Sequence, residues 1–248
     1  MKFGHGCSAV EVNVASRAAL FQAVRARFAQ GRGFGLVTLN LDHLTKLPVD
    51  PAFAAAYRAQ DLVVADGRPV IWLSRLAGHP LELLPGSDLV IPLGALAAQM
   101  QMPVALVGSS DAALAGARAA LEKRVPGIDI VLTHAPAYGF DPTGEEAARI
   151  CTRLEAAGTR LCFIALGAPK QEIFAAFARP RCPDVGFASI GAGLDFLSGH
   201  QMRAPKLMRA LALEWLWRAL QSPVRMVPRY ARCFAILPGL IWAAWRQR

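Results

Sequence analysis

The chain has 248 residues, 54% of them hydrophobic, with 27 Lys or Arg against 18 Asp or Glu and a formal charge of +9. That composition supplies a core for one large domain, or for a domain and an appendage, and excludes a disordered chain. The basicity belongs to the end: from His200 onward nine Lys or Arg stand against one acid, Glu214, giving +8 there and leaving about +1 for the first 199 residues.

The opening stretch, "MKFGHGCSAVEVNVASRAAL", is broken by polar residues too often to supply a signal peptide's apolar core, which predicts an unexported, cytosolic protein. Short β-rich runs then alternate with Ala-rich helical stretches. "GLVTLN" is followed by "DPAFAAAYRAQ", "LVVADG" by "GSDLVIPLGALAAQM", and "PVALVGSS" by "DAALAGARAALEKRVPG". "IDIVLTHA", "TGEEAARICTRLEAAG", "RLCFIALGAP", "KQEIFAAFARPRC" and "VGFASIGAGLDFLSG" complete the series. The strand runs are continuously apolar, the mark of a sheet covered on both faces by crossover helices, so the class is α/β with a mainly parallel sheet. Ser87-Asp88 and Asp111 are expected to cap or open helices, and Glu145 and Glu146 to lie in a first turn. "VGSSDAALAG" can be read as an ordinary strand-turn-helix or as a phosphate cradle. The composition shifts at Gly199-His200, which divides the chain into an α/β domain over 1–199 and an appendage over 200–248.

Three strand exits collect polar groups: Thr38, Asn40 and His43 after the first, Asp66-Gly67 after "LVVA", and Pro169-Lys170-Gln171-Glu172 after "FIALGA". Parallel strands present their carboxyl ends along one edge, so the three are predicted to share a crevice. Singly, each has a plain structural reading: an Asp before Gly makes turns, a strand-ending Thr satisfies its own hydroxyl, and His43 packs or caps.

Several chemistries lack their motifs. "GAGLDFLSG" has Phe196 where a dinucleotide loop needs a third small residue, which weakens a Rossmann-type oxidoreductase reading. The chain has no G-x-x-x-x-G-K-[ST] loop, no G-x-S-x-G elbow and no H-E-x-x-H. Nor is there a D-x-D pair to hold a metal on a sugar-nucleotide, and the five cysteines, Cys7, Cys151, Cys162, Cys182 and Cys233, form no CxxC pair. The expectation is therefore reduced packing thiols, no metal site and no cofactor.

"TLNLDHL", "ADGRPVIW", "LPGSDL", "LGAPKQE", "GAGLDFLSG", "RAPKLM" and "LEWLWRAL" followed by "SPVR", taken in order across residues 35 to 232, resemble the WecG/TagA/CpsF family of bacterial glycosyltransferases. The resemblance implies a Rossmann-like fold and an inverting, metal-independent transfer. The sugar would pass from a nucleotide-diphosphate donor to a polyprenyl-diphosphate-linked acceptor at the inner face of the cytoplasmic membrane. By motif, Asp66 matches the family's general base, Thr38 a residue needed at the active site, and Gln171, beside Lys170, a substrate contact of the "PKQE" loop. Asn40 and His43 belong to the same first motif. Arg218 and Arg225 stand where the family supplies diphosphate-binding residues from its appendage. Two positions depart from the pattern. Leu83 replaces an expected phosphate-binding Arg, for which Arg68 or Arg75 is the nearby substitute, and Pro228-Arg229-Tyr230 is one charge short of the usual basic pair.

Beyond His200 the chain mixes Arg with four of its five tryptophans, Trp215, Trp217, Trp242 and Trp245. "LMRALALEWLWRAL" is apolar nearly all round, and Pro223 and Pro228 are expected to interrupt any continuous helix. "CFAILPGLIWAAW" is 13 residues, short of the roughly 20 needed to span hydrocarbon. With Arg229, Arg232, Arg246 and Arg248 flanking it, it is expected to lie on a membrane surface as a peripheral or monotopic segment, or to bury in a homo-oligomer. A nucleic-acid-binding tail is the rival of a different class, since the same charge can track phosphates, although Leu and Ile among the aromatics favour lipid.

Overall fold

The computed structural model describes residues 1–248 apart from His5, Arg203, Lys206, Leu207 and 209–212, and the side chains of Cys7, Arg218 and Arg225 also lie outside the described residues. A short antiparallel hairpin, β1 (Lys2–Phe3) and β2 (Val10–Glu11), opens the chain. Six strands then form one sheet: β3 (Phe34–Leu39), β4 (Leu62–Ala65), β5 (Val104–Gly108), β6 (Ile130–His134), β7 (Leu161–Ala165) and β8 (Gly186–Ser189). Their order is β4-β3-β8-β7-β5-β6 and every pairing is parallel.

The helices are α1 (Arg17–Ala29), α2 (Leu41–Lys46), α3 (Pro51–Arg58), α4 (Arg68–Leu76), α5 (Gly86–Gln99), α6 (Asp111–Arg124), α7 (Glu145–Ala156), α8 (Lys170–Ala178), α9 (Gly193–Ser198), α10 (Glu214–Gln221) and α11 (Pro223–Trp245). Strands such as "VALVG" and "LCFIA" are buried at every position, because helices cover both faces of the sheet. Leu20, Val24, Leu89, Leu93 and Leu114 of α1, α5 and α6 pack with Leu36 and Val64 on one face. The opposite face divides between a cluster with Phe53, Tyr57 and Val70 and one with Ile150, Phe174 and Phe187.

Helix starts follow the sequence closely. Ser16, Asn40, Asp50 and Ser110 each accept the backbone N–H of the third residue of their helix. At α5 the expected Ser87-Asp88 cap is not formed: Pro85 is the N-cap, without a side-chain bond, and Asp88 falls in the first turn.

The tail corrects one expectation. Pro223 does stand at a break, occupying the first turn of α11 after Ser222, but Pro228 and Pro238 lie inside a helix of 23 residues. A proline orphans the carbonyl four residues earlier, here Val224 and Phe234. Both prolines are exposed, as are Val224 and Phe234, so the proline rings lie on the outer side of the helix, which continues through them. The other side of α11 buries Cys233 and Ala244, with Ile236, Leu237 and Leu240 packed beside them, in the same cluster as Val37, Leu39 and Val63 of the sheet.

Candidate active site

Strand alternation decides which side chains meet. Thr38 follows Leu36 by two, and Asp66 follows Val64 by two, so both point to the face covered by α1 and α5. The register pairs Thr38 with Val64 and Leu39 with Ala65, and the Asp66 N–H donates to Leu39 O at 2.8 Å. Thr38 Oγ1 donates to Asp66 Oδ2 at 3.4 Å, a long bond that ties the two strand exits together. Gly67 turns the chain away at φ 89°, a conformation that suits glycine, and a Cβ there would stand 3.8 Å from Asn40 Cβ. On the same face the first turn of α5 abuts β8: a Cβ on Gly86 would meet the Ile190 backbone at 3.0 Å.

Beneath Asn40 a polar chain runs into the core. The Tyr57 hydroxyl donates to Thr38 O at 2.8 Å, and it therefore accepts from His43 Nδ1 at 2.6 Å. That fixes the His43 tautomer: Nδ1 carries the proton and Nε2 is left to accept from Asn40 Nδ2 at 3.4 Å. Asn40 Oδ1 in turn accepts the His43 N–H at 3.1 Å, so both ends of the carboxamide are set. Burial drives the His43 pKa down to about 3, which keeps the ring neutral at any physiological pH. His43 thus reaches the strand exit through Asn40 rather than by exposing its own ring.

The third predicted cluster lies at the exits of β7 and β8. Lys170 Nζ donates to Phe140 O at 2.8 Å, fastening the loop after β6 to the start of α8. Gln171 is buried and bridges, its Nε2 donating to Glu172 Oε1 at 2.8 Å and its Oε1 accepting the Gly191 N–H at 3.1 Å. Lys46 Nζ, from α2, donates to Ala168 O at 3.2 Å. The exits of β4, β3, β8 and β7 are consecutive in the sheet, so the three sequence clusters share one edge.

An ion node joins that edge to the tail. Asp42, 7% exposed at its side chain, receives Lys46 at 2.7 Å and Arg229 of α11 at 3.0 Å. Burial alone would raise its pKa, but Arg229 and Lys46 outweigh burial and hold it below the usual carboxylate value. The predicted Arg218 and Arg225 fall on α10 and α11, and their side chains lie outside the described residues. Leu83 packs against the cluster of α2, α3 and α4. Of its two candidate substitutes, Arg68 opens α4 directly after Asp66-Gly67 and is half-buried, whereas Arg75 is exposed two turns on.

Chemically, the edge offers a carboxylate beside a hydroxyl at Asp66 and Thr38, carboxamides at Asn40 and Gln171, and a helix N-terminus at α5. The first suits proton abstraction; the others suit oxygen-rich or anionic ligands. Sequence reasoning missed Tyr57 and the pairing of Asp42 with Arg229, and it named Glu172 in the third cluster without giving it a role. Tyr57 reads as one more apolar residue of an Ala-rich helix.

The profile described as the glycosyl transferase WecG/TagA/CpsF family matches residues 7–248. The chain is also 28% identical over 208 residues to an N-acetylglucosaminyldiphosphoundecaprenol N-acetyl-beta-D-mannosaminyltransferase of Bacillus spizizenii, an alignment covering 81% of this chain and 78% of that protein.

Proposed function

Since the chain belongs to the WecG/TagA/CpsF family of glycosyl transferases, we propose that it moves a sugar from a UDP-sugar to a polyprenyl-diphosphate-linked acceptor, inverting the anomeric centre without a metal. The name of the Bacillus relative, an N-acetyl-beta-D-mannosaminyltransferase whose acceptor is N-acetylglucosaminyldiphosphoundecaprenol, supports the acceptor class. The single observation that carries the reading is the contact between Thr38 and Asp66 at adjacent strand exits.

In this reaction the Asp66 carboxylate takes the proton of the acceptor hydroxyl as that oxygen bonds to the anomeric carbon. The bond from that carbon to the donor diphosphate breaks, and the nucleotide leaves from the opposite face. Thr38 donates to one carboxylate oxygen of Asp66 and so helps to orient the carboxylate. Charge building on the leaving diphosphate is met by Arg218, Arg225 and Arg68 and by the first amides of α5. Asn40, Lys170 and Gln171 bind substrate, and His43 sets Asn40.

Acceptors of this class are embedded in lipid, and the outer side of α11 supports contact with a lipid surface. Its outer side exposes Phe234, Ile241, Trp242 and Trp245, the two indoles stacked with centroids 5.5 Å apart, next to exposed Arg246 and Arg248. Among the described residues no helix is long and apolar enough to cross a membrane. The protein acts as a peripheral enzyme on the cytoplasmic face, with the crevice turned toward the bilayer.

The test is Asp66→Asn in the detergent-solubilised full chain, assayed for sugar transfer from UDP-sugars with and without a chelator. Loss of a general base is expected to cut kcat by roughly 100-fold or more while donor affinity persists. Near-normal turnover overturns the assignment of Asp66, and loss of transfer on chelation overturns metal independence.

A further inference from the structure

Gln171 and Glu172 adjoin at the start of α8, and both are buried, at 2% and 0% exposure. A carboxamide has two N–H donors and one carbonyl, and those of Gln171 are assigned by their partners. Nε2 faces the carboxyl oxygen of Glu172 and Oε1 faces the Gly191 N–H. Reversing the amide would set oxygen against oxygen and N–H against N–H, so one orientation survives. In that orientation the second Nε2–H has no partner among the described residues.

Glu172 is fixed in its turn. Its backbone carbonyl accepts from Gln60 Nε2 at 3.3 Å, and Gln60 is anchored to Ala56 O at 2.9 Å. Only one carboxyl oxygen is used: Oε2 is buried with no hydrogen-bond partner among the described residues. A buried acid with half its bonding capacity idle is a costly residue for mere packing. The charged and titratable groups facing it are Lys46 and Asp42 from α2 and Tyr57 from α3.

We propose that Glu172 is a positioning residue of the transfer reaction, whose buried carboxylate holds the Gln171 carboxamide so that one N–H is left for the substrate. This rests on the glycosyltransferase reading above and adds to it a residue that touches no substrate. Burial raises the Glu172 pKa to about 7, with the Gln171 bond and Lys46 pulling it back and Asp42 adding to the rise. Across roughly pH 6 to 8 the carboxyl therefore passes from protonated to ionised. The ionised form accepts a charge-assisted bond from Gln171, shorter and stronger than the neutral one, so the amide is held more firmly as pH rises.

The experiment uses the full-length detergent-solubilised protein and two readouts. In donor-free protein, the 1H–15N pair of the Gln171 side chain, assigned by its disappearance in Gln171→Ala, is followed with pH. The expected result is a shift with a midpoint near 7 in the wild type and none in Glu172→Gln. In steady-state transfer, Glu172→Gln is expected to lose about 10-fold or more in kcat/KM above neutrality and to lose the limb of the pH profile near 7. Glu172→Asp, which keeps the charge but not the reach, should keep that limb at a lowered rate and serves if the Gln variant does not fold. An amide signal indifferent to pH, or a Glu172→Gln enzyme with the wild-type profile, overturns the proposal. If the amide titrates as stated but the wild type transfers sugar from no donor, the transferase reading fails while the hold of Glu172 on Gln171 stands.

Discussion

Asp42 is where the tail meets the sheet, and its removal should be felt in both. The carboxylate is almost wholly buried and holds two cations, Lys46 at 2.7 Å and Arg229 at 3.0 Å. Breaking a fully buried pair from one side costs about 3–5 kcal/mol, because the surviving charge is stranded. Here the survivors are the cations, and they keep side-chain exposures of 32% and 28%, so water relieves part of the cost. A loss of about 2–3 kcal/mol is expected for Asp42→Ala on those grounds. In a chain of this size that lowers Tm by about 4–12 °C.

Thermal unfolding of Asp42→Ala, Arg229→Ala and the double variant closes a cycle, with a coupling of about 1–2 kcal/mol expected between the two residues. The pH dependence gives a second check. The folded pKa of Asp42 is depressed, so the stability it contributes is present above its unfolded value of about 4 and is lost as pH falls through the lower folded value. The Tm gap between wild type and Asp42→Ala should therefore narrow as the solution is acidified below that value. Single variants that add without coupling, or a gap that widens in acid, refute the account of α11 as held by this node.

His43 gives the opposite kind of residue, neutral in the fold and charged when released. Its folded pKa of about 3 lies below the unfolded value, so its share of stability is present above about 6.5 and is lost as pH falls toward 3, by up to about 1.4 kcal/mol per pH unit. His43→Gln should be less stable at neutrality yet less sensitive to acid between those limits, as read by Tm against pH; an unchanged slope contradicts the buried neutral ring. Arg68→Ala should raise the donor KM by about 10-fold with folding intact, if Arg68 takes the place left by Leu83, since a charge-assisted bond is worth roughly 1.5–3 kcal/mol. Trp242→Ala with Trp245→Ala should weaken sedimentation with anionic liposomes by at least about 10-fold, each indole having its exposed face to bury. Unaltered partitioning argues that this face meets protein instead.

The strands could be read from sequence because the sheet is buried on both sides: "GLVTLN", "LVVADG", "PVALVGSS" and "RLCFIALGAP" are too apolar and too short for anything else. The exits were legible because a polar residue directly after such a run marks where the strand ends. What stayed hidden depends on neighbours far along the chain. Nothing beside Asp42 in the sequence announces that Arg229 reaches it, and nothing beside Glu172 announces that α3 packs against α8. Pro228 of α11 was misjudged because a sequence pattern records the missing N–H but not that the helix can carry an exposed proline ring on its outer side.

These hidden residues share one arrangement. Tyr57 binds the backbone carbonyl of Thr38 and, through His43, the side chain of Asn40; Lys46 binds both Asp42 and the carbonyl of Ala168, just before α8. The Arg229 that docks α11 therefore shares its carboxylate with the lysine that holds the loop leading to Gln171. A displacement of α11 that moves Arg229 disturbs the charge balance on Asp42, and Lys46 spans from there to the loop before α8. The tail is thus joined to the strand-exit edge by two ion pairs and a hydrogen bond in series, which gives a force on α11 a physical route to the loop before α8.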